Sequence, residues 1–149
     1  MPLVEEVQAG IRQAGREALF FNANAADPAT RAEVIAALTR KTAGPDGKPR
    51  PLAVLLHSLA FGTLKPFVAD GPEDRISQKQ LEMTLDVMAN SLVYWAQELA
   101  GAGLLGPGSR VLAMTSSGAT RVWATYGAVS AAKAALESHI RQLAFELAP

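Results

Sequence analysis

Cysteine is absent from this 149-residue chain. That excludes disulfides, thiolate metal sites and a cysteine nucleophile, and it fits a reducing compartment. Histidine is scarce: His57 and His139 lie far apart in sequence and belong to no ligand motif, so no metal is expected. An excess of charge of one sign is missing too. The 14 basic and 14 acidic residues balance without a basic block, so the electrostatic signature of a nucleic-acid or anionic-membrane binder is lacking. No apolar run reaches the roughly 20 residues of a membrane span. The opening "MPLVEEVQAG" carries acidic residues where a signal peptide has positive charge. The expectation is a cytoplasmic protein with neither nucleic acid nor membrane as partner. What is present, 49% hydrophobic and 19% charged residues, suits a single folded domain with one core.

The apolar pattern alternates between two periods. Val4, Val7 and Ile11 stand at helical spacing over Val4 to Gln13, and Gly15 suits the helix end. "ALFFNA", Ala18 to Ala23, reads as a short buried strand. Asp27 is an N-cap and Pro28 a first helical residue for a helix with Val34, Ile35 and Leu38 on one face. After the turn-rich "GPDGKPRP", the run "LAVLLHS" reads as a strand buried on both faces of a parallel sheet. A long loop over 61–76 precedes a helix from Gln78 to Ala102. "RVLAMTS" is then a further strand, and a last helix covers Ala124 to Leu147. Helices alternating with strands predict an α/β, doubly wound fold.

In such sheets ligands gather beyond the carboxyl ends of the strands. There stand "NANAAD", "HSLAFG" and "TSSGAT". Asn22 and Asn24 offer hydrogen bonds, though asparagines also simply make loops. Ser58, Ala60 and Gly62 are small enough to let a flat ligand approach the backbone. His57 reads first as a core histidine with its hydrogen bonds satisfied. Thr115, Ser116 and Ser117 either steady a substrate oxygen or cap the turn.

"YGAVSAAKAAL", Tyr126 to Leu136, sets one phenol and one lysine seven residues apart in a small apolar run. Seven helical residues turn through about 700° and rise roughly 10 Å, so the pair shares a face without touching. Lys133 leans back toward Tyr126, and a ligand between them meets both. A phenol is a poor acid-base group at neutral pH unless a nearby ammonium favours its phenolate. Spacing alone leaves a reacting pair and two ordinary helix residues both open.

Together, "YGAVSAAKAALESHIRQLAFELAP", "RVLAMTSSG" and "LLHSLAFG" resemble the short-chain dehydrogenase/reductase superfamily. The likeness narrows to its enoyl-acyl-carrier-protein reductase branch, which shares the six residues between Tyr126 and Lys133 where most of the superfamily has three. The shorter spacing would place Val129 opposite Lys133, and valine transfers no proton. "HSLAF" also resembles the segment this branch carries in place of an Asn-Asn-Ala-Gly turn. The resemblance runs from Val4 to Pro149 and implies NADH or NADPH as cofactor. It implies an enoyl thioester of acyl-carrier protein or coenzyme A as substrate, fatty acid biosynthesis as setting and a homotetramer as assembly.

By the same resemblance, Tyr126 hydrogen-bonds the substrate carbonyl, and Lys133 holds the nicotinamide ribose hydroxyls. Ser116 falls at the catalytic serine of the superfamily, where many enoyl reductases have a second tyrosine. Asn24 meets the adenine, and Ser58, Leu59 and Ala60 lie beside the adenosine and ribose. The superfamily's catalytic asparagine aligns with Met88 and not with Asn90, so no residue of that helix is nominated. Trp123 lines the acyl pocket or is plain core.

The departures are equally specific. No Gly-x-x-x-Gly-x-Gly loop occurs in the sequence, and such a loop cradles the pyrophosphate in the family. The expectation is the central part, residues 1–149, of one Rossmann-like reductase domain, an incomplete parallel sheet without the first two and the C-terminal strands. Such a piece by itself is expected to bind cofactor poorly and turn over little. In the strand order 3-2-1-4-5-6 the strand at Ala18 loses its neighbours. Two rivals stand beside this reading: a 3-ketoacyl-type reductase acting on a carbonyl, and a non-catalytic α/β oligomerisation module.

Overall fold

A computed structural model describes residues 2–148. Helix α1 (Pro2–Gln13) ends where Gly15 turns left-handed, φ +72°, as Arg16 N–H donates to the Ile11 carbonyl at 3.1 Å. This is the glycine stop expected from the sequence. Helix α2 (Pro28–Thr42) starts as expected: the Asp27 carboxylate accepts from Thr30 N–H at 2.8 Å, and Pro28 fills the first turn, where no amide donor is needed.

The expected strand over Ala18 to Ala23 does not form; this stretch is irregular, with Leu19 and Phe20 each 50% exposed. A strand's amides need a neighbouring strand, and none lies beside it among the described residues. The other two strands form and pair with each other. β1 (Val54–His57) and β2 (Arg110–Ala113) are parallel, with Leu55 opposite Val111 and His57 opposite Ala113. The expectation that the β1 run is buried on both faces is corrected. Leu55 and His57 turn inward, while Val54 and Leu56 stay half exposed because no described residues cover the outer face.

The long helix between the strands carries an interruption that its sequence does not announce. It runs as α3 (Gln78–Leu85), a π-helical turn (Asp86–Asn90) and α4 (Ser91–Gly101). Its start is a capping box: Ser77 Oγ accepts from Gln80 N–H at 3.2 Å, and the Gln80 side chain accepts from Ser77 N–H at 3.0 Å. Helix α5 (Gly127–Glu146) starts three residues later than the apolar pattern suggests, because Thr125 holds φ 61°, outside the helical region.

The core forms where these helices meet the inner face of the sheet. Met88, Ala89, Leu92 and Ala96 pack against Val129, Ala132, Leu136 and Leu143, with Leu55, Val111 and Ala113 beneath. Ala89 and Ala132 are wholly buried, and their small side chains let the helices approach closely. This layer brings the N-terminus of α5 over the carboxyl ends of β1 and β2.

Candidate active site

Both strand ends and the start of α5 open on one cavity of about 320 Å³. Its walls include Ser58, Leu59, Ala60, Ser116, Tyr126 and Lys133. Of the residues nominated for catalysis or for holding the cofactor, all but Asn24 line this one space.

Tyr126 ends the loop after β2 and precedes the first turn of α5. Its hydroxyl lies 3.3 Å from Ser116 Oγ, which also accepts from Gly118 N–H at 3.1 Å and caps the short 3-10 turn Ser117–Ala119. The serine hydroxyl is thereby oriented by backbone before it meets the phenol. Gly118 makes this possible: a Cβ there would stand 2.3 Å from Tyr126 Cε1. Gly127 plays the same part for Phe67, whose Cζ would lie 2.6 Å from a Cβ.

Lys133 lies two turns along α5, 5% exposed. Its ammonium donates to the Met114 carbonyl at 2.7 Å and the Leu59 carbonyl at 3.2 Å, one beyond each strand. Burial pushes its pKa below the ordinary lysine value, because desolvation penalises the charged form. The two carbonyl bonds favour the ammonium and leave one N–H for a further acceptor.

His57 is buried, as the core reading expects, but only one ring nitrogen is satisfied: Nε2 lies 2.8 Å from Ser91 Oγ, while Nδ1 has no partner among the described residues. Its pKa is lowered to about 4, first by burial and then by the charge of Lys133. Met88 lines the cavity from the π turn, while Asn90 Oδ1 is engaged 3.1 Å from His139 Nε2. This helix therefore presents a thioether to the site and no amide.

Asn24 is placed apart from this cavity. Its side chain accepts from Ala26 N–H at 3.0 Å, in a loop tied to the long helix by Trp95 Nε1–H donating to the Ala25 carbonyl at 2.8 Å. Arg31 donates to the Ala26 carbonyl at 2.7 Å and to Glu98 at 2.8 Å. Trp123, expected to line an acyl pocket or to be core, is 56% exposed. It lies 5.9 Å from the Tyr126 ring and borders a second cavity of about 560 Å³ with Phe67, Val68 and Val122.

The model of a family described as enoyl-(acyl carrier protein) reductase matches residues 2–149. The chain belongs to this family. Solved structures share its fold. A short-chain dehydrogenase from Burkholderia cenocepacia, in complex with NADP, is 28% identical with a TM-score of 0.72, over 97% of this chain and 54% of its own. The NADH enoyl-[acyl-carrier-protein] reductase from Aquifex aeolicus is 23% identical with a TM-score of 0.76, over 99% and 54%. The Bacillus cereus enoyl-acyl carrier protein reductase, with NADP+ and indole naphthyridinone, is 22% identical with a TM-score of 0.73, over 97% and 51%. The chain thus spans about half the length of the structures it matches. Its two described parallel strands are an α/β Rossmann-like arrangement in incomplete form.

For a member of this family, sequence reasoning missed four groups. The Leu59 and Met114 carbonyls carry no signal, since every residue has one. Gly118 and Gly127 do, because glycines close to a tyrosine in sequence mark where a ring is seated against backbone.

Proposed function

We propose that the protein works as an enoyl-thioester reductase using NADH or NADPH, its substrate carried on acyl-carrier protein or coenzyme A. Fatty acid biosynthesis is the setting this reading implies. The observation that carries it is the convergence of Ser116, Tyr126 and Lys133 on one cavity at the strand ends.

The groups present suit a nicotinamide ribose. Lys133 has one N–H beyond its two carbonyl bonds, free for a ribose hydroxyl. A reduced nicotinamide, when bound, supplies hydride to the β-carbon of the enoyl thioester. Tyr126 hydroxyl hydrogen-bonds the thioester carbonyl and stabilises the enolate that hydride addition creates. Ser116 orients the phenol, Lys133 holds the ribose hydroxyls, and protonation at the α-carbon completes the saturated product. Ser58, Leu59 and Ala60 lie beside the ribose, and Asn24 meets the adenine. Trp123 and Phe67 border the space for the acyl chain. Ala131 and Ala134, exposed on α5, allow the close helix approach of a homotetramer.

The test, on the full-length protein, is oxidation of NADH and NADPH in the presence of trans-2-enoyl and 3-ketoacyl thioesters. Turnover with the enoyl substrate is expected, and oxidation with the ketone alone would replace this reading by a carbonyl reductase. The exposed small residues of α5 also fit a second reading, a non-catalytic oligomerisation module. Calorimetry on the full-length protein decides between them: an oligomer that is blind to both nucleotides is the module.

A further inference from the structure

His57 is the buried titratable group that the proposed reaction leaves without a task. It is 4% exposed, and its two ring nitrogens meet different fates. Ser91 has one hydroxyl proton, and Ser91 Oγ donates it to the Val87 carbonyl at 2.7 Å. The serine oxygen must therefore accept from the ring at 2.8 Å, which places the imidazole proton on Nε2. Nδ1 then carries a lone pair, buried and without a partner among the described residues. Folds rarely leave such an atom without a purpose.

The contacts around it form a closed set. The Val87 carbonyl belongs to the π turn, and Ser91 bonds back to it from four residues on. His57 is the last residue of β1, and its own carbonyl accepts from Met114 N–H at 2.9 Å. Met114 and Leu59, two residues beyond His57, supply the carbonyls that hold the Lys133 ammonium. The imidazole is thus the link between the π turn and the paired strand ends on which Lys133 is mounted. Burial and the charge of Lys133 keep the ring neutral, so the ammonium faces no second cation.

We propose that His57 is a positioning residue for Lys133. Through Ser91 it clamps the end of β1 to the π turn, and so fixes the two carbonyls that aim the ammonium into the cavity. The importance of Lys133 rests on the reductase reading; the clamp itself rests on these contacts.

The test follows Lys133 directly, in the chain without nucleotide. Acylation of lysines by a small amine-reactive reagent at one fixed pH is mapped by peptide mass spectrometry, with exposed Lys48 as internal reference. Relative to Lys48, labelling of Lys133 is expected to rise several-fold in folded His57→Leu and to rise in Ser91→Ala. His57→Gln keeps a side-chain N–H donor and should stay near wild type, and Leu143→Ala should leave Lys133 protected despite its lost packing. Unchanged Lys133 labelling in folded His57→Leu overturns the proposal. Should that variant not fold, unchanged labelling in Ser91→Ala overturns it instead. Nitrogen-15 shifts give a second readout: an Nδ1–H tautomer in the wild type would have Ser91 donating to Nε2 instead of to the Val87 carbonyl, and so overturns the link to the π turn. Neither measurement uses an enoyl thioester, so failure here is separate from failure of the reductase reading.

Discussion

The Tyr126 ring occupies the space that a side chain on residue 118 would need: a Cβ on Gly118 would lie 2.3 Å from Tyr126 Cε1. Gly118→Ala must therefore push the ring off its seat or move the turn that Ser116 caps. We expect a loss of about 1–3 kcal/mol in urea denaturation, the usual cost of overpacking. Turnover should fall with it. Wild-type stability and turnover in this variant would show that the seat is not tight.

Tyr126→Phe separates the hydroxyl from the ring. The ring keeps its packing against Gly118 and Trp123, so stability and nucleotide binding should hold. Reduction of the enoyl thioester is expected to drop by roughly 10²–10⁴-fold, the range for a lost acid-base or hydrogen-bonding group. Steady-state kinetics at saturating nucleotide measures it, and an undiminished kcat removes the phenol from the chemistry.

His57 makes stability depend on pH. Its folded pKa is about 4 against an ordinary value of 6.5, so below the ordinary value the unfolded chain binds the proton first. Its contribution is complete above about pH 6.5, declines as pH falls, and levels off below about pH 4, a loss on the order of 3 kcal/mol. Urea midpoints across this window should show the slope in the wild type and a flatter profile in folded His57→Leu. Lys133→Met removes the neighbouring charge and should raise the histidine midpoint, read by proton NMR of the ring.

Thr125 is a β-branched residue held at φ 61°, directly before Tyr126. Such a conformation stores roughly 1–3 kcal/mol. Thr125→Gly releases that strain and should raise the melting temperature, while kcat falls because the tyrosine is less firmly held. Thr125→Asn, which tolerates the left-handed region, should keep turnover near wild type. Equal turnover in the glycine variant would show that the strained turn does not hold the phenol.

Leu92 is wholly buried where the long helix meets α5 and the sheet. Leu92→Ala should cost about 2–5 kcal/mol, depending on how far the cavity collapses. Chemical denaturation gives the value, and a cost below about 1 kcal/mol would place the leucine outside the core.

Much of the local structure was legible because its causes are local. Asp27 followed by Pro28 marks a helix start wherever it occurs, and the Asp27–Thr30 bond bears it out. Ser77 and Gln80 form a capping box whose letters stand in "SQKQ", yet the apolar period alone drew attention to that helix. Period could not foresee the π turn at Asp86–Asn90, since one wide turn barely shifts the apolar stripe. "ALFFNA" misled for another reason: its residues favour a strand, but a strand is a relation between two segments.

The order of residues by itself determined the caps, the division of apolar from polar positions, and the presence of a phenol and an amine seven residues apart. Only the tertiary structure decided what they work with. Pairing β1 with β2, more than fifty residues away, sets the Leu59 and Met114 carbonyls on either side of Lys133, and the turn after β2 brings Ser116 to Tyr126. Carbonyl acceptors are the same in every residue, so their role comes from position in space, and that position exists only once the sheet and the helix layer have packed.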